Sequence, residues 1–293
     1  MSLQIRGVYT AIITPFDTQG NIDETAYRNL IDFQIENGID GLVPCGTTGE
    51  SPTLSHEEHD RLIEITVDHV AKRVPVIAGT GSNSTREAIR LTTHAKKAGV
   101  DAVMLVNPYY NKPTQKGLFL HFREIANAVD IPCMVYNIKG RTGVNLETDT
   151  LMELCAACEN IVAVKEASGD LEQIKSVIAR RRKGFSVMSG DDNIALKLIE
   201  AGGDGVVSVA SNLIPGKMVT MVHSALKGDI QEAKALEAPL ADFFKAMFVE
   251  TNPIPIKTAM AMAGRCQEVF RLPMCTLTTE ENRKIVADCV ARV

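Results

Sequence analysis

The stretch Ile161-Val162-Ala163-Val164-Lys165-Glu166-Ala167-Ser168-Gly169-Asp170 sets a lysine at the end of an apolar run. An ammonium is rarely buried without a partner or a use. Alternate residues of a strand share a face, so Ile161, Ala163 and Lys165 are expected on one side and Val162 and Val164 on the other. Burial disfavours the charged form of a lysine, and a neutral amine attacks carbonyl carbon. With a keto acid it forms an imine. The protonated imine is an electron sink, so the adjacent carbon loses a proton and becomes a nucleophile. The alternative is a structural lysine paired with a carboxylate. Tyr136 stands as far beyond Pro132 as Lys165 stands beyond Ile161, which predicts the same depth in its own strand. A phenol there can carry protons to and from the amine; otherwise its ring is core and its hydroxyl rests on a backbone carbonyl. Thr47 and Thr48 lie between Gly46 and Gly49 ahead of a helix. Backbone N–H groups in such a turn can hold a carboxylate, and a hydroxyl can extend a proton relay. Arg141 offers a planar fork for a second carboxylate, or is an ordinary solvated loop arginine.

These groups must be held by a scaffold, and hydrophobic periodicity supplies one. Short apolar runs read as strands at Val8–Thr14, Gly41–Pro44, Pro75–Ala78, Ala102–Val106, Pro132–Tyr136, Ile161–Glu166, Phe185–Met188 and Gly205–Val209. Each is followed by a stretch with helical spacing. Ser55 with Glu58 makes a capping box at the start of the second helix. Eight βα units without a dividing linker predict an α/β fold, a (β/α)8 TIM barrel over residues 1–227. Residues 228–293 read as a C-terminal helical appendage broken at Asn252-Pro253 and near Leu272-Pro273. An open doubly wound sheet is the other arrangement, but no G-x-G-x-x-G follows a strand and no G-x-x-x-x-G-K-[ST] is present. In a barrel the site lies at the C-terminal ends of the strands. Thr47, Thr48, Tyr109, Tyr110, Tyr136, Arg141, Lys165, Ser189, Gly190, Asp191, Ser208 and Ser211 all fall there.

Composition excludes several other classes. With 45% hydrophobic and 23% charged residues over 293 positions, the chain can build a large core. The net charge of −5, with no basic patch beyond Arg180–Lys183, argues against nucleic acid. No apolar run is long enough to span a bilayer, and no signal peptide opens the sequence, so a cytoplasmic protein is expected. Seven scattered cysteines predict reduced thiols; Cys155 and Cys158 sit in a helical pattern and read as packing residues. His56-Glu57-Glu58-His59 brings its second histidine one residue early for H-E-x-x-H, so no metal is expected there. G-x-S-x-G is absent, and no hydrolase triad is recognisable.

Gly46-Thr47-Thr48-Gly49-Glu50-Ser51, Pro108-Tyr109-Tyr110-Asn111-Lys112-Pro113, Tyr136-Asn137 with Arg141-Thr142-Gly143, Lys165 to Asp170, and Ser189-Gly190-Asp191-Asp192 together resemble the dihydrodipicolinate synthase family. That family is a branch of the lysine-dependent pyruvate aldolases, which include N-acetylneuraminate lyase. The resemblance runs in order along essentially the whole chain. It implies that Lys165 condenses with pyruvate and that the enamine attacks aspartate semialdehyde. Cyclisation then releases 4-hydroxy-tetrahydrodipicolinate, the first committed step of diaminopimelate and lysine biosynthesis, without metal or organic cofactor. It implies Tyr136 as the main acid and base, with Thr48 and Tyr110 completing a relay and Tyr110 reaching into a neighbouring subunit. Thr47 and Thr48 would hold the pyruvate carboxylate, Gly190 and Val207 would contact the imine, and Arg141 would receive the semialdehyde carboxylate. A homo-oligomer follows, usually a tetramer built as a dimer of dimers. L-lysine as inhibitor would bind at Ser51, Pro52, His56, His59, Asn83, Glu87 and Tyr109; otherwise these form a hydrated polar interface. Where family members commonly carry proline, this chain has Lys139, which leaves the mouth of the site and the aldehyde more open than the pyruvate step. A sister aldolase acting on a keto-sugar acid and a non-catalytic barrel are the rival readings.

Overall fold

The computed structural model describes residues 4–293. Eight strands follow one another along the chain: β1 Gly7–Ala11, β2 Gly41–Val43, β3 Ile77–Gly79, β4 Ala102–Val106, β5 Cys133–Asn137, β6 Ile161–Glu166, β7 Ser186–Ser189 and β8 Gly205–Ser208. All pair in parallel, and β8 returns to β1, with Val8 opposite Val206 and Thr10 opposite Ser208. Between β2 and β3 the ring is closed by a parallel bridge of Leu42 with Val76 and by the Gly79 N–H donating to Pro44 O at 2.9 Å. The result is the TIM barrel expected from the alternating pattern.

Two apolar cores share the strands. Val8, Leu42, Val103, Val135, Val164 and Val187 point outward under the helices. Tyr9, Val43, Met104, Met134, Tyr136, Ala163, Met188 and Val207 fill the barrel itself. The Tyr9 ring lies so close to Gly41 that a Cβ at residue 41 would overlap it, so a side chain there and the ring cannot coexist. One strand departs from simple alternation. The register between β5 and β6 slips between Cys133 and Met134, which face Ile161 and Ala163. The extra residue turns Ile161 outward and leaves Val162 against the barrel interior, while Ala163 and Lys165 keep the inward face. The shared face of Ile161 with Lys165 expected from strict alternation is therefore corrected by a bulge.

The helices begin and end where their local chemistry directs. Asp23 accepts from Ala26 N–H ahead of helix Glu24–Glu36, and Asp170 accepts from Glu172 and Gln173 N–H ahead of helix Leu171–Arg180. Both halves of the Ser55–Glu58 capping box are formed. Beyond Gly228 lie helices Ile230–Glu237, Ala241–Ala246, Ile254–Met262 and Glu280–Val290. Phe243, Phe244, Ile256, Met260 and Val286 belong to the same core as the outward strand residues, so this segment is packed into the barrel rather than hung from it. Cys155 and Cys158 are also buried in that core as free thiols. Among the described residues no helix is long and apolar enough to cross a membrane.

Candidate active site

Lys165 is the penultimate residue of β6, and only 6% of it is exposed. Register places it beside Tyr136 on β5 and Met188 on β7. Its Nζ lies 4.1 Å from the centre of the Tyr136 ring. No carboxylate oxygen comes within ion-pairing reach of that nitrogen among the described residues. The nearest influence of opposite sign is Asp192, whose Oδ2 accepts from the Val209 and Ala210 N–H groups at 3.1 and 2.9 Å. Burial lowers the Lys165 pKa to about 7; Asp192 opposes the shift and the Arg141 charge adds to it. Burial also lifts the Asp192 carboxyl to about 6, against the donors that hold it. An amine that is half neutral near pH 7 is a competent nucleophile.

Glycine at 190 makes room for this lysine. A Cβ there would stand 3.0 Å from Lys165 Cε and 2.7 Å from Ala167 Cβ, and the Gly190 N–H donates to Glu166 O at 2.8 Å. Val207 lies inside the barrel on β8, with 1% exposed. Tyr136 is buried as well, and burial raises its phenol pKa, with Arg141 drawing it down and Asp191 pushing it up. The phenol therefore stays protonated at neutral pH and can donate a proton.

The turn after β2 is closed by the Gly49 N–H to Gly46 O and the Glu50 N–H to Thr47 O, both 3.1 Å. Among the described residues nothing accepts from the backbone N–H of Thr47 or Thr48, so both remain available to an anion. Thr48 is buried, and its hydroxyl accepts from Asn252 Nδ2 at 3.0 Å. Arg141 sits in a short helix, Lys139–Thr142, that sequence reading takes for a loop, and donates to Asn252 O at 3.0 Å. Lys139 opens that helix, a first-turn position whose backbone also accepts proline. Thr47, Tyr136 and Arg141 line one cavity of about 380 Å3; Lys165 and Thr48 are not in its wall, and Lys165 borders it through the Tyr136 ring.

The model of the dihydrodipicolinate synthetase family matches residues 4–291. The chain belongs to that family. The 4-hydroxy-tetrahydrodipicolinate synthase of Syntrophus aciditrophicus (strain SB) is 54% identical over 280 residues, 96% of each chain. Dihydrodipicolinate synthase from Aquifex aeolicus superposes with a TM-score of 0.96 at 46% identity, covering 98% of both chains. The enzyme from Cyanidioschyzon merolae, solved with lysine bound, gives 0.95 at 41% identity, covering 98% of this chain and 97% of that one.

The other residues expected of a dihydrodipicolinate synthetase family member fall partly in this cavity and partly outside it. Ser51, Pro52, His56, His59, Glu87 and Tyr109 line the same cavity as Arg141, at its outer end. His56 Nε2 lies 2.8 Å from Glu87 Oε1, and Ser82 donates to the other oxygen of Glu87. His59 is buried against Gly79 O at 2.9 Å, and burial lowers its pKa, so it is a neutral, fixed group at pH 7. Asn83 is outside the cavity wall but accepts through its carbonyl from Asn111 Nδ2 at 2.9 Å. Tyr110 is not brought to this site. It is 89% exposed, at φ 73°, and points away from its own barrel. No hydrogen bond joins Tyr136, Thr48 and Tyr110 among the described residues of the single chain.

Sequence reasoning also misses functional neighbours. Behind Lys165, Glu166 accepts from Ser168 N–H at 2.8 Å and from Asn137 Nδ2 at 3.3 Å, while Asn137 Oδ1 accepts from Asn107 at 2.9 Å. This outward polar lock joins the ends of β4, β5 and β6. Its signal is a polar residue directly after each apolar run. Asn252 and Asp192 are the others. Asn252 shows in the sequence only as a helix break, and Asp192 only as the last residue of a quoted motif.

Proposed function

We propose that this chain condenses pyruvate with L-aspartate 4-semialdehyde to give 4-hydroxy-tetrahydrodipicolinate, at the start of diaminopimelate and lysine biosynthesis. The carrying observation is a buried Lys165 amine with no carboxylate partner, in register with the Tyr136 phenol. The neutral amine attacks the keto carbon of pyruvate, water leaves, and an imine remains. Thr47 and Thr48 N–H groups hold the pyruvate carboxylate. A methyl proton is lost, and the enamine carbon bonds to the aldehyde carbon of the semialdehyde, whose oxygen takes up a proton. The amino group of the adduct then attacks the imine carbon and displaces Lys165. Tyr136, beside the amine in register, serves these transfers as acid and base. Arg141 receives the second carboxylate at the mouth. Gly190 and Val207 border the imine. The route uses the protein's own groups, without metal or organic cofactor.

Tyr110 serves a neighbouring subunit in this reading, joining its relay with Thr48 and Tyr136, and its exposed position supports that use. The assembly is a homo-oligomer, most simply a dimer of dimers. L-lysine inhibits from the outer end of the cavity, through Ser51, Pro52, His56, His59, Asn83, Glu87 and Tyr109. The free state of every cysteine suits the cytoplasm.

The test is borohydride reduction in the presence of pyruvate, followed by mass analysis. A reduced adduct on the Lys165 peptide is expected. Turnover is then compared with aspartate semialdehyde and with a sugar aldehyde. No adduct would leave a non-catalytic barrel, and turnover of the sugar aldehyde alone would leave the sister aldolase.

A further inference from the structure

The C-terminal segment carries a second buried lysine that the reaction does not use. Lys257, in helix Ile254–Met262, is fully enclosed and donates from Nζ to Glu50 Oε1 at 2.6 Å. The same Nζ lies 4.0 Å from the centre of the Phe16 ring. The second oxygen of Glu50 accepts from the Arg271 N–H at 3.3 Å. The Arg271 guanidinium in turn clamps both oxygens of Glu58 at 2.6 Å and donates to Gly20 O and Thr53 O. Two cations of the C-terminal segment thus hold two carboxylates, one at the end of the turn after β2 and one in the helix beyond it.

Glu50 is the last residue of that turn, and its own N–H closes it onto Thr47 O. Its φ of 53° lies in the left-handed region, which a residue with a side chain holds only when its surroundings fix it. A buried ion pair is a costly way to fill space, because apolar groups of the same volume pack at less cost. What the pair adds is direction: it fixes where the Glu50 carboxylate, and so the backbone of the turn, must stand. Five residues before the lysine that makes this contact, Asn252 reaches the same turn through the Thr48 hydroxyl.

We propose that Lys257, through its pairing with Glu50, is a positioning residue for pyruvate: it sets the Thr47–Glu50 turn, and with it the N–H groups that hold the substrate carboxylate. The inference rests on the reading of Lys165 as the imine-forming amine. Lys257→Met keeps the apolar stem, ending one heavy atom short of the lysine nitrogen, and removes the charge. Glu50→Gln keeps the shape of the partner and removes its charge. Full-length wild type, both variants and the double variant are titrated with pyruvate, reduced with borohydride, and read by intact mass. Thermal unfolding in the same buffer sets a temperature at which all are folded.

The half-saturating pyruvate concentration is expected to rise roughly tenfold or more in each single variant, since small displacements of positioning groups are costly. The adduct plateau at saturating pyruvate stays at the wild-type level, because Lys165 is untouched. The double variant falls within about twofold of the worse single, as expected of two changes to one contact. Half-saturation within about twofold of wild type in a folded variant, whatever its melting point, would overturn the proposal. If Lys257→Met does not fold, Glu50→Gln decides alone by the same criterion. Absence of adduct in the wild type would instead remove the reading of Lys165, and this inference with it.

Discussion

Replacing Lys165 with methionine should abolish the chemistry and stabilise the fold. In the unfolded chain the amine titrates near its ordinary value of 10.5, and in the folded barrel at about 7. Between those values the unfolded chain holds a proton that the native protein lacks, so stability rises with pH across that window. At pH 7, burying this lysine therefore costs roughly 4 kcal/mol relative to a group with no proton to lose. Near pH 9.5 the unfolded lysine is itself closer to losing its proton, and the cost falls to roughly 1–2 kcal/mol. Below pH 7 both states are protonated and the cost levels off. Methionine matches the lysine stem, and its sulfur suits contact with the Tyr136 ring. At about 2–4 °C per kcal/mol for a chain of this size, the gain at pH 7 is roughly 8–16 °C. Scanning calorimetry of wild type and Lys165→Met at pH 7 and pH 9.5 checks both numbers. A variant that melts at or below wild type at pH 7, or a margin that does not shrink at pH 9.5, would refute desolvation as the source of the lowered pKa. The same variant should give no reduced adduct with pyruvate.

Tyr136→Phe keeps the ring that packs against Lys165 and removes the proton carrier, so kcat should fall about 10^2 to 10^4-fold with the fold intact; a fall under tenfold would assign the proton transfers elsewhere. Arg141→Ala and Asp192→Asn should move the pH midpoint of adduct formation in opposite directions, upward without the arginine charge and downward without the aspartate. Single-turnover trapping rates across pH read both midpoints, and a common direction would contradict the electrostatics of the site. Glu87→Gln breaks the contact with His56 at the outer end of the cavity, so the ratio of uninhibited to lysine-inhibited rate should drop toward one. An unchanged ratio would place the effector elsewhere.

Much of the scaffold is legible because its signals are local. Ala102–Val106 and Ile161–Glu166 begin and end where periodicity places them, and the Ser55–Glu58 box forms as its spacing requires. The strand ends that carry Lys165 and Tyr136 are legible for the same reason. The bulge opposite Cys133 is not, since a register slip depends on the neighbouring strand. The contacts of Thr48 with Asn252 and of Glu50 with Lys257 join residues 204 and 207 positions apart, and no local pattern encodes them. Sequence reading thus makes the C-terminal segment an appendage, whereas its side chains reach the site.

The two buried lysines show why apolar flanks alone cannot assign a function. Lys165 follows a run of apolar residues in a strand, and Lys257 follows Ile254-Pro255-Ile256 in a helix. Burial lowers the pKa of both. The difference is the state of the nearest carboxylate. Glu50 gives an oxygen to Lys257 at 2.6 Å, which raises the pKa again and fixes the charge in place. Asp192 stands near Lys165 but commits its Oδ2 to two backbone N–H groups. It therefore acts on the amine only through space, strongly enough to limit the shift and too weakly to hold the proton. Two backbone N–H groups just after β8 thus engage one oxygen of the carboxylate, Oδ1 has no hydrogen-bond partner among the described residues, and neither oxygen pairs with the amine. Freeing Asp192 from those donors would favour pairing with the lysine, raise the amine pKa and silence it without touching the lysine itself.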